Sequence, residues 1–221
     1  MFSSGPTGVV FFDVDGTLVP TSSSAFLAGF LGHRDELVEA EAAYASGDMS
    51  NQQVSAIDAA GWAGRSPQEI EAWLDDLPLI DGISETLAWC QANQLAPVLA
   101  TLAWGPVGHY LTRRFGFLGY CGPELEVLDG KFTGYVARDF DEFDKRDTAL
   151  AQARRLGLAP AQCVAIGDSR SDLPLFTSTR TSIAFNATQA AKAAATSTVT
   201  GDDLQLVLPA LRNFRDLIHR R

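Results

Sequence analysis

The sequence predicts an α/β protein: a Rossmann-like parallel sheet with helices on both faces, interrupted by a small all-helical insert. Three observations carry this. Short apolar runs such as GVVFFDV and CVAIGDS end in Asp, Gly or Ser, the pattern of strands buried on both faces with loops at their carboxyl ends. Helical stretches separate those runs, and strands alternating with helices build a parallel sheet covered on both sides. The stretch from Thr21 to Asp81, by contrast, contains no convincing strand.

Taken in order, GVVFFDV is the first strand, and LAPVLATLA, entered through Pro97, is a second of weaker strand propensity. CVAIGDS is the third. Helices are predicted over Ile83 to Gln94, Gly105 to Gly116 and Lys145 to Gly157, the last stopping at a glycine after Arg154 and Arg155. LEVLDGKFTGYV places strand-like flanks around Asp129-Gly130, a strong hairpin signal. RTSIAFNAT is a further strand and turn, with Asn186 a candidate contact, and FRDLIHRR is an amphipathic C-terminal helix. Between the first and second strands four helices are expected: SSSAFLAGFLG, RDELVEAEAAYASG, NQQVSAIDAAGWAG and SPQEIEAWLDDL. Ser66, Pro67 and Glu69 form a helix start. The division is therefore 1–19 with 84–221 as the α/β core, and 20–83 as the insert.

Composition narrows the function classes. The chain has 221 residues, is 46% hydrophobic and 20% charged, and carries a formal net charge of −10. Such acidity argues against a nucleic-acid surface, and no apolar run reaches the roughly 20 residues of a membrane helix. MFSSGPTG has no basic residue and does not resemble a signal peptide. Cys90, Cys121 and Cys163 lack metal-type spacing and are expected as buried thiols of a reducing compartment, placing the protein in the cytoplasm. Oligomeric state is left open.

The chemistry lies at the strand ends. Asp13 and Asp15 follow the first strand, Thr101 ends the second, and Asp168 and Asp172 follow the third. Open α/β sheets bind ligands at the carboxyl ends of their strands, so these residues converge. Crowded carboxylates repel one another and shift their pKa values; a hard cation relieves that, and an all-oxygen ligand set selects Mg²⁺. A turn alone accounts for DVDGT, and a capped helix start alone accounts for GDSRSD. Their occurrence in order, each behind a buried strand, points to chemistry.

DVDGT, a threonine ending a strand, a lysine at a helix start and GDxxxD, here at Asp13, Thr101, Lys145 and Asp168/Asp172, resemble the four motifs of the haloacid dehalogenase superfamily. They span nearly the whole chain, and the helical insert is similar to that superfamily's C1 cap. The stretches LDGKFTG, DKRDTAL, VAIGDSRSDLPLF and IAFNAT resemble its phosphoserine-phosphatase branch. The resemblance implies a Mg²⁺-dependent phosphatase acting on a small phosphorylated metabolite through an aspartyl-phosphate, with no nucleic-acid or membrane partner. It makes Asp13 the nucleophile and Asp15 the general acid and then base. It implies Mg²⁺ held by Asp13, the main-chain carbonyl of Asp15 and Asp168, with Asp172 supporting the metal's water shell or orienting Lys145. Thr101, Leu102, Lys145 and Gly16 become the phosphate- and substrate-binding positions. Lys145 is one of only three lysines; Lys131 and Lys192 are expected at the surface.

Asp15 argues for phosphoryl transfer rather than dehalogenation, and the absence of lysine in the insert argues against Schiff-base phosphonatase chemistry. A phosphomutase uses the same two aspartates, and a non-catalytic phospho-ligand-binding relative is a third possibility. Phosphoserine phosphatases carry an acid shortly after the first motif, where this chain has PTSSSAF, and Ser-Gly-Gly-Phe at the second, where it has TLAW. These departures count against phosphoserine. A sugar phosphate or a nucleoside monophosphate stacking on Trp104 is at least as well supported. His33, Arg34, Arg65, Trp62 and Trp73 of the insert are expected in core or surface roles, and His109 at the surface.

Overall fold

Gly8–Phe12 forms strand β1 with all five residues buried, which explains its unbroken apolar run. The computed structural model describes residues 5–219. Residues 1–4, part of the stretch read above as lacking a leader, lie outside the described residues, as do Arg220 and Arg221 at the end of the expected C-terminal helix. After β1 come four helices: α1 (Ser23–Leu31), α2 (Arg34–Ser46), α3 (Asn51–Gly61) and α4 (Pro67–Leu74). Ser66 caps α4 with reciprocal bonds to Glu69, and Pro67 opens it, as predicted. Then follow α5 (Ile83–Ala92), β2 (Leu95–Ala100), α6 (Gly105–Phe115), β3 (Gly119–Cys121) and the hairpin β4 (Leu125–Leu128) and β5 (Lys131–Val136). The chain ends with α7 (Glu142–Arg155), β6 (Cys163–Gly167), α8 (Leu173–Phe176), β7 (Thr181–Phe185), α9 (Gln189–Ala194), β8 (Ser197–Val199) and α10 (Leu208–His219).

Six strands form one parallel sheet in the order β3-β2-β1-β6-β7-β8. β1 is central, with β2 on one side and β6 on the other, so the strand order reverses at its carboxyl end, where such sheets bind ligands. Successive side chains of a strand face opposite ways, and this sorts the core into two layers. Val10, Phe12, Leu99 and Ile166 pack with Leu87, Leu111, Leu211 and Phe214 on one face. Val9, Phe11, Val98 and Ala165 pack with Ala149, Ala153, Leu175 and Phe176 on the other. The first layer continues into the insert through Leu27, Ala59, Trp62, Ile70 and Leu74.

The β4–β5 hairpin, paired as Asp129-Gly130 predicts, braces that insert. Phe132 meets Trp62 edge-on at 5.2 Å, and its backbone bonds to both sides of the turn after α3: Gly64 donates to its carbonyl and its N–H donates to Arg65. Two edge strands, β3 and β8, went unread in the sequence. All three cysteines are buried and free. No helix among the described residues is long and apolar enough to cross a membrane.

Candidate active site

Asp13 continues the ladder of β1 by one residue, donating its N–H to Ile166 at 2.9 Å. Its side chain is thereby fixed between β2 and β6 and is buried. Oδ1 accepts from the Val14 N–H at 2.8 Å and faces Lys145 Nζ at 3.2 Å, while the Thr101 hydroxyl also hydrogen-bonds the carboxyl. Burial, reinforced by Asp172, pushes Asp13 up to about 7 against the pull of Lys145. Asp15 leaves the strand in the tight turn beyond, and its Oδ1 accepts from the Ser23 N–H at the start of α1 at 2.7 Å. Desolvation raises it to about 6. The two carboxylates have different partners and different acidities.

Asp168, just past β6, lies against Gly16. Gly16 has a φ of +74°, and a Cβ there would collide with the Asp168 carboxylate. Only glycine satisfies both the left-handed backbone and this approach. Asp168 is raised to about 8 by burial and by Asp13 and Asp172.

Lys145 is fully buried. Its ammonium donates to Asp172 Oδ1 at 2.7 Å and to Ser171 Oγ at 3.3 Å, besides facing Asp13. Burial alone would depress its pKa, but Asp13 and Asp172 together carry it above the ordinary lysine value. It is not at the helix start, as the sequence reading had it. α7 begins three residues earlier, where Asp141 accepts from Phe143 and Asp144 while Asp144 accepts from Asp141. The first turn thus holds acids, which suit a helix N-terminus, and the lysine sits beyond it. Asp172 has both oxygens committed: Oδ1 to Lys145, and Oδ2 to the N–H groups of Asp168 and Ser169 at 2.9 and 3.1 Å.

The donor set suits a hard divalent cation. Asp13, Asp168 and Asp172 each present a carboxylate oxygen within 4.8 Å of the others, and Asp168 Oδ1 is buried with no hydrogen-bond partner among the described residues. A buried acceptor without a donor calls for a ligand, and oxygen-only ligands favour Mg²⁺. With Asp172 occupied by Lys145 and two backbone donors, Asp13 and Asp168 are the carboxylates available.

Asp13, Asp15, Thr101 and Asp168 floor a cavity of about 510 Å³ whose opposite wall comes from α1, α2 and α3. Gly16, Thr101 and Leu102 line it. The Thr101 hydroxyl is oriented by the Ala103 N–H at 3.0 Å. Trp104 reaches the cavity but is only 3% exposed, and its indole N–H donates to Asp58 Oδ2 at 2.7 Å. It is a buried tie rather than an open stacking face. Asn186 is not brought to the site; it exchanges hydrogen bonds with Gly201. Trp62 is core, Trp73 stacks on Phe30, and His109 pairs with Glu124 at the surface.

Sequence reasoning missed the lining residues Glu41, Tyr44, Asp58 and Arg170, among others. Asp58 is buried and accepts from Trp104 of the core and from Trp62 and His33 of the insert. A lone acid between Ile57 and Ala59, four residues before a tryptophan, was the available signal. Arg170 donates to the Tyr44 carbonyl at 2.8 Å and lies over its ring at 4.7 Å.

A parallel sheet with acids at its switch point and a lysine buried among them defines an acid-centred α/β hydrolase. The chain belongs to the haloacid dehalogenase-like hydrolase family, whose model matches residues 10–177. It is 28% identical over 202 residues to a putative hydrolase of Mycobacterium leprae, covering 81% of this chain and 67% of that one. A phosphoserine phosphatase of Albidiferax ferrireducens is 23% identical over 211 residues, covering 90% and 87%. Among solved structures, a phosphoserine phosphatase captured as a phospho-aspartyl intermediate analogue superposes with a TM-score of 0.83 at 21% identity, covering 92% and 98%. A family hydrolase from Salmonella enterica serovar Typhi superposes at 0.85 with 19% identity, covering 93% and 71%. These likenesses set the chain in the phosphoserine-phosphatase-like branch, among phosphatases.

Proposed function

We propose that the protein is a Mg²⁺-dependent phosphatase of small soluble phosphomonoesters in the cytoplasm, working through an aspartyl-phosphate on Asp13. The core is 1–19 with 84–221, and 20–83 is a cap that keeps water from the cavity. Asp13 attacks phosphorus in line with the departing oxygen; the new O–P bond forms as the ester O–P bond breaks. Asp15, raised toward neutrality, gives its proton to the leaving alkoxide. It then takes a proton from the water that attacks the phosphoenzyme, releasing phosphate and restoring Asp13. Lys145 and Thr101 hold the equatorial phosphoryl oxygens, joined by the loop at Leu102 and Gly16. Asp172 keeps the Lys145 ammonium in place. Asp13, Asp168 and the main-chain carbonyl of Asp15 would hold Mg²⁺, which when bound offsets repulsion between these carboxylates and the phosphate.

The single observation that carries this reading is the cavity-lining Asp13 backed by the buried Lys145 ammonium, with Asp15 separately held beside it in the same lining. Phosphate release from a panel of phosphomonoesters, measured with and without Mg²⁺, tests it. Turnover should require the metal and vanish in Asp13→Asn. Metal-independent turnover, an unaffected variant, or an isomerised phosphosugar in place of free phosphate would refute it.

A further inference from the structure

The cavity wall opposite the carboxylates carries charge of one sign. Glu41 on α2 and Asp58 on α3 line it. The insert has only three basic side chains, His33, Arg34 and Arg65, and none gives the cavity a free positive charge. His33 Nε2 is bonded to Asp58 Oδ1 at 3.0 Å. Arg34 is exposed and outside the lining. Arg65 pairs with Glu69 and lies over Trp73. Among the described lining residues the one cation is Arg170, already engaged with the Tyr44 carbonyl, the Tyr44 ring and Glu142.

The two acids differ in what they have left to offer. Asp58 is filled by three N–H donors. Glu41 is not: Oε1 accepts from the Ser22 hydroxyl at 2.6 Å, and Oε2 accepts from no described residue. The same wall carries Leu37, Ala45 and Val54 alongside the neutral polar side chains of Tyr44, Asn51 and Ser55. A short aliphatic stem packs against such a surface. A carboxylate on the same stem would face Glu41 without a compensating cation, and repulsion of this kind is how sites reject wrong ligands.

We propose, resting on the phosphatase reading above, that the leaving group is an amino alcohol whose ammonium pairs with Glu41 and which carries no carboxylate. Glu41 is then the residue that sets specificity, and the chain departs from phosphoserine as substrate because the one cation of the described lining, Arg170, is already engaged with Tyr44 and Glu142.

The test compares kcat/KM with Mg²⁺ for phosphoethanolamine, phosphoserine and n-propyl phosphate, with p-nitrophenyl phosphate as an amine-free reporter of activity. Phosphoethanolamine should exceed both n-propyl phosphate and phosphoserine by about tenfold or more, as expected where a charged partner is desolvated. In Glu41→Gln the ratio of phosphoethanolamine to n-propyl phosphate should collapse toward one. Phosphoserine ranking first, equal rates for the three alkyl esters, or a preference surviving in Glu41→Gln overturns the proposal while leaving the phosphatase reading intact. No turnover of any ester, the reporter included, refutes that reading and the proposal with it. Should the variant not fold, the wild-type ranking alone decides.

Discussion

Asp13 and Asp15 are two residues apart yet live in different surroundings. Asp13 is locked by Val14 N–H, Thr101 and Lys145, whereas Asp15 is held by Ser23 at the start of α1. A carboxyl near 6 is suited to passing protons in both directions. Replacing it separates the half-reactions. Asp15→Asn should lower steady-state turnover of an alkyl phosphate by about 10²- to 10⁴-fold. With p-nitrophenyl phosphate, whose leaving group needs no proton, it should give a burst of nitrophenol and then stall; a stopped-flow trace without a burst would contradict the two-role assignment. At this scale Asp13, Asp15, Thr101 and Asp168 were legible because a polar residue ending a buried strand is conspicuous. Lys145 was visible chiefly through the resemblance and the scarcity of lysines, since its partners Ser171 and Asp172 lie 26 and 27 positions away. Asp58 left only a faint local signal, because its bonds to His33 and Trp104 span 25 and 46 positions.

Between elements, the joint that matters is where α3 meets the loop after β2. Asp58 there collects the indole N–H of Trp104, tying the insert to the same loop that carries Thr101. Removing it strands three buried donors. Asp58→Ala should therefore cost about 2–4 kcal/mol in urea unfolding, with Asp58→Asn milder because it keeps an acceptor. A loss below about 0.5 kcal/mol, the level of an ordinary surface change, would show that the joint is not structural. Most elements were legible from apolar runs, Pro67 and the Asp-Gly hairpin. The exceptions follow from physics: β3 and β8 are three-residue edge strands, too short for a pattern, and the start of α7 was masked because capping acids and solvated acids look alike in sequence.

For the molecule as a whole, the buried acids set a dependence on pH and metal. Asp13, Asp15 and Asp168 hold their protons to about 7, 6 and 8 in the fold, against an ordinary value of 3.8. The folded protein thus binds more protons than the unfolded chain across this range. Their contribution to stability is complete below about pH 4 and is lost as pH rises to about 8. Mg²⁺ competes with those protons, so its stabilisation should grow with pH. In thermal melts against EDTA, Mg²⁺ should raise Tm by several degrees more at about pH 8 than at about pH 5, and Asp168→Asn should flatten the difference; an equal rise at both would contradict the assignment of the ion to these carboxylates. The sheet that gathers these groups at β1 was readable because buried parallel strands announce themselves, while the partners across the cavity, Glu41 and Arg170, depended on how the insert folds back. The most direct measurement is of the covalent step. Quench Asp15→Asn during turnover of p-nitrophenyl phosphate, reduce the acyl phosphate with borohydride and map the peptides by mass spectrometry. Reduction of Asp13 to homoserine, and of no other residue, is the expected result; an unmodified Asp13 alongside released nitrophenol would contradict catalysis through an aspartyl-phosphate.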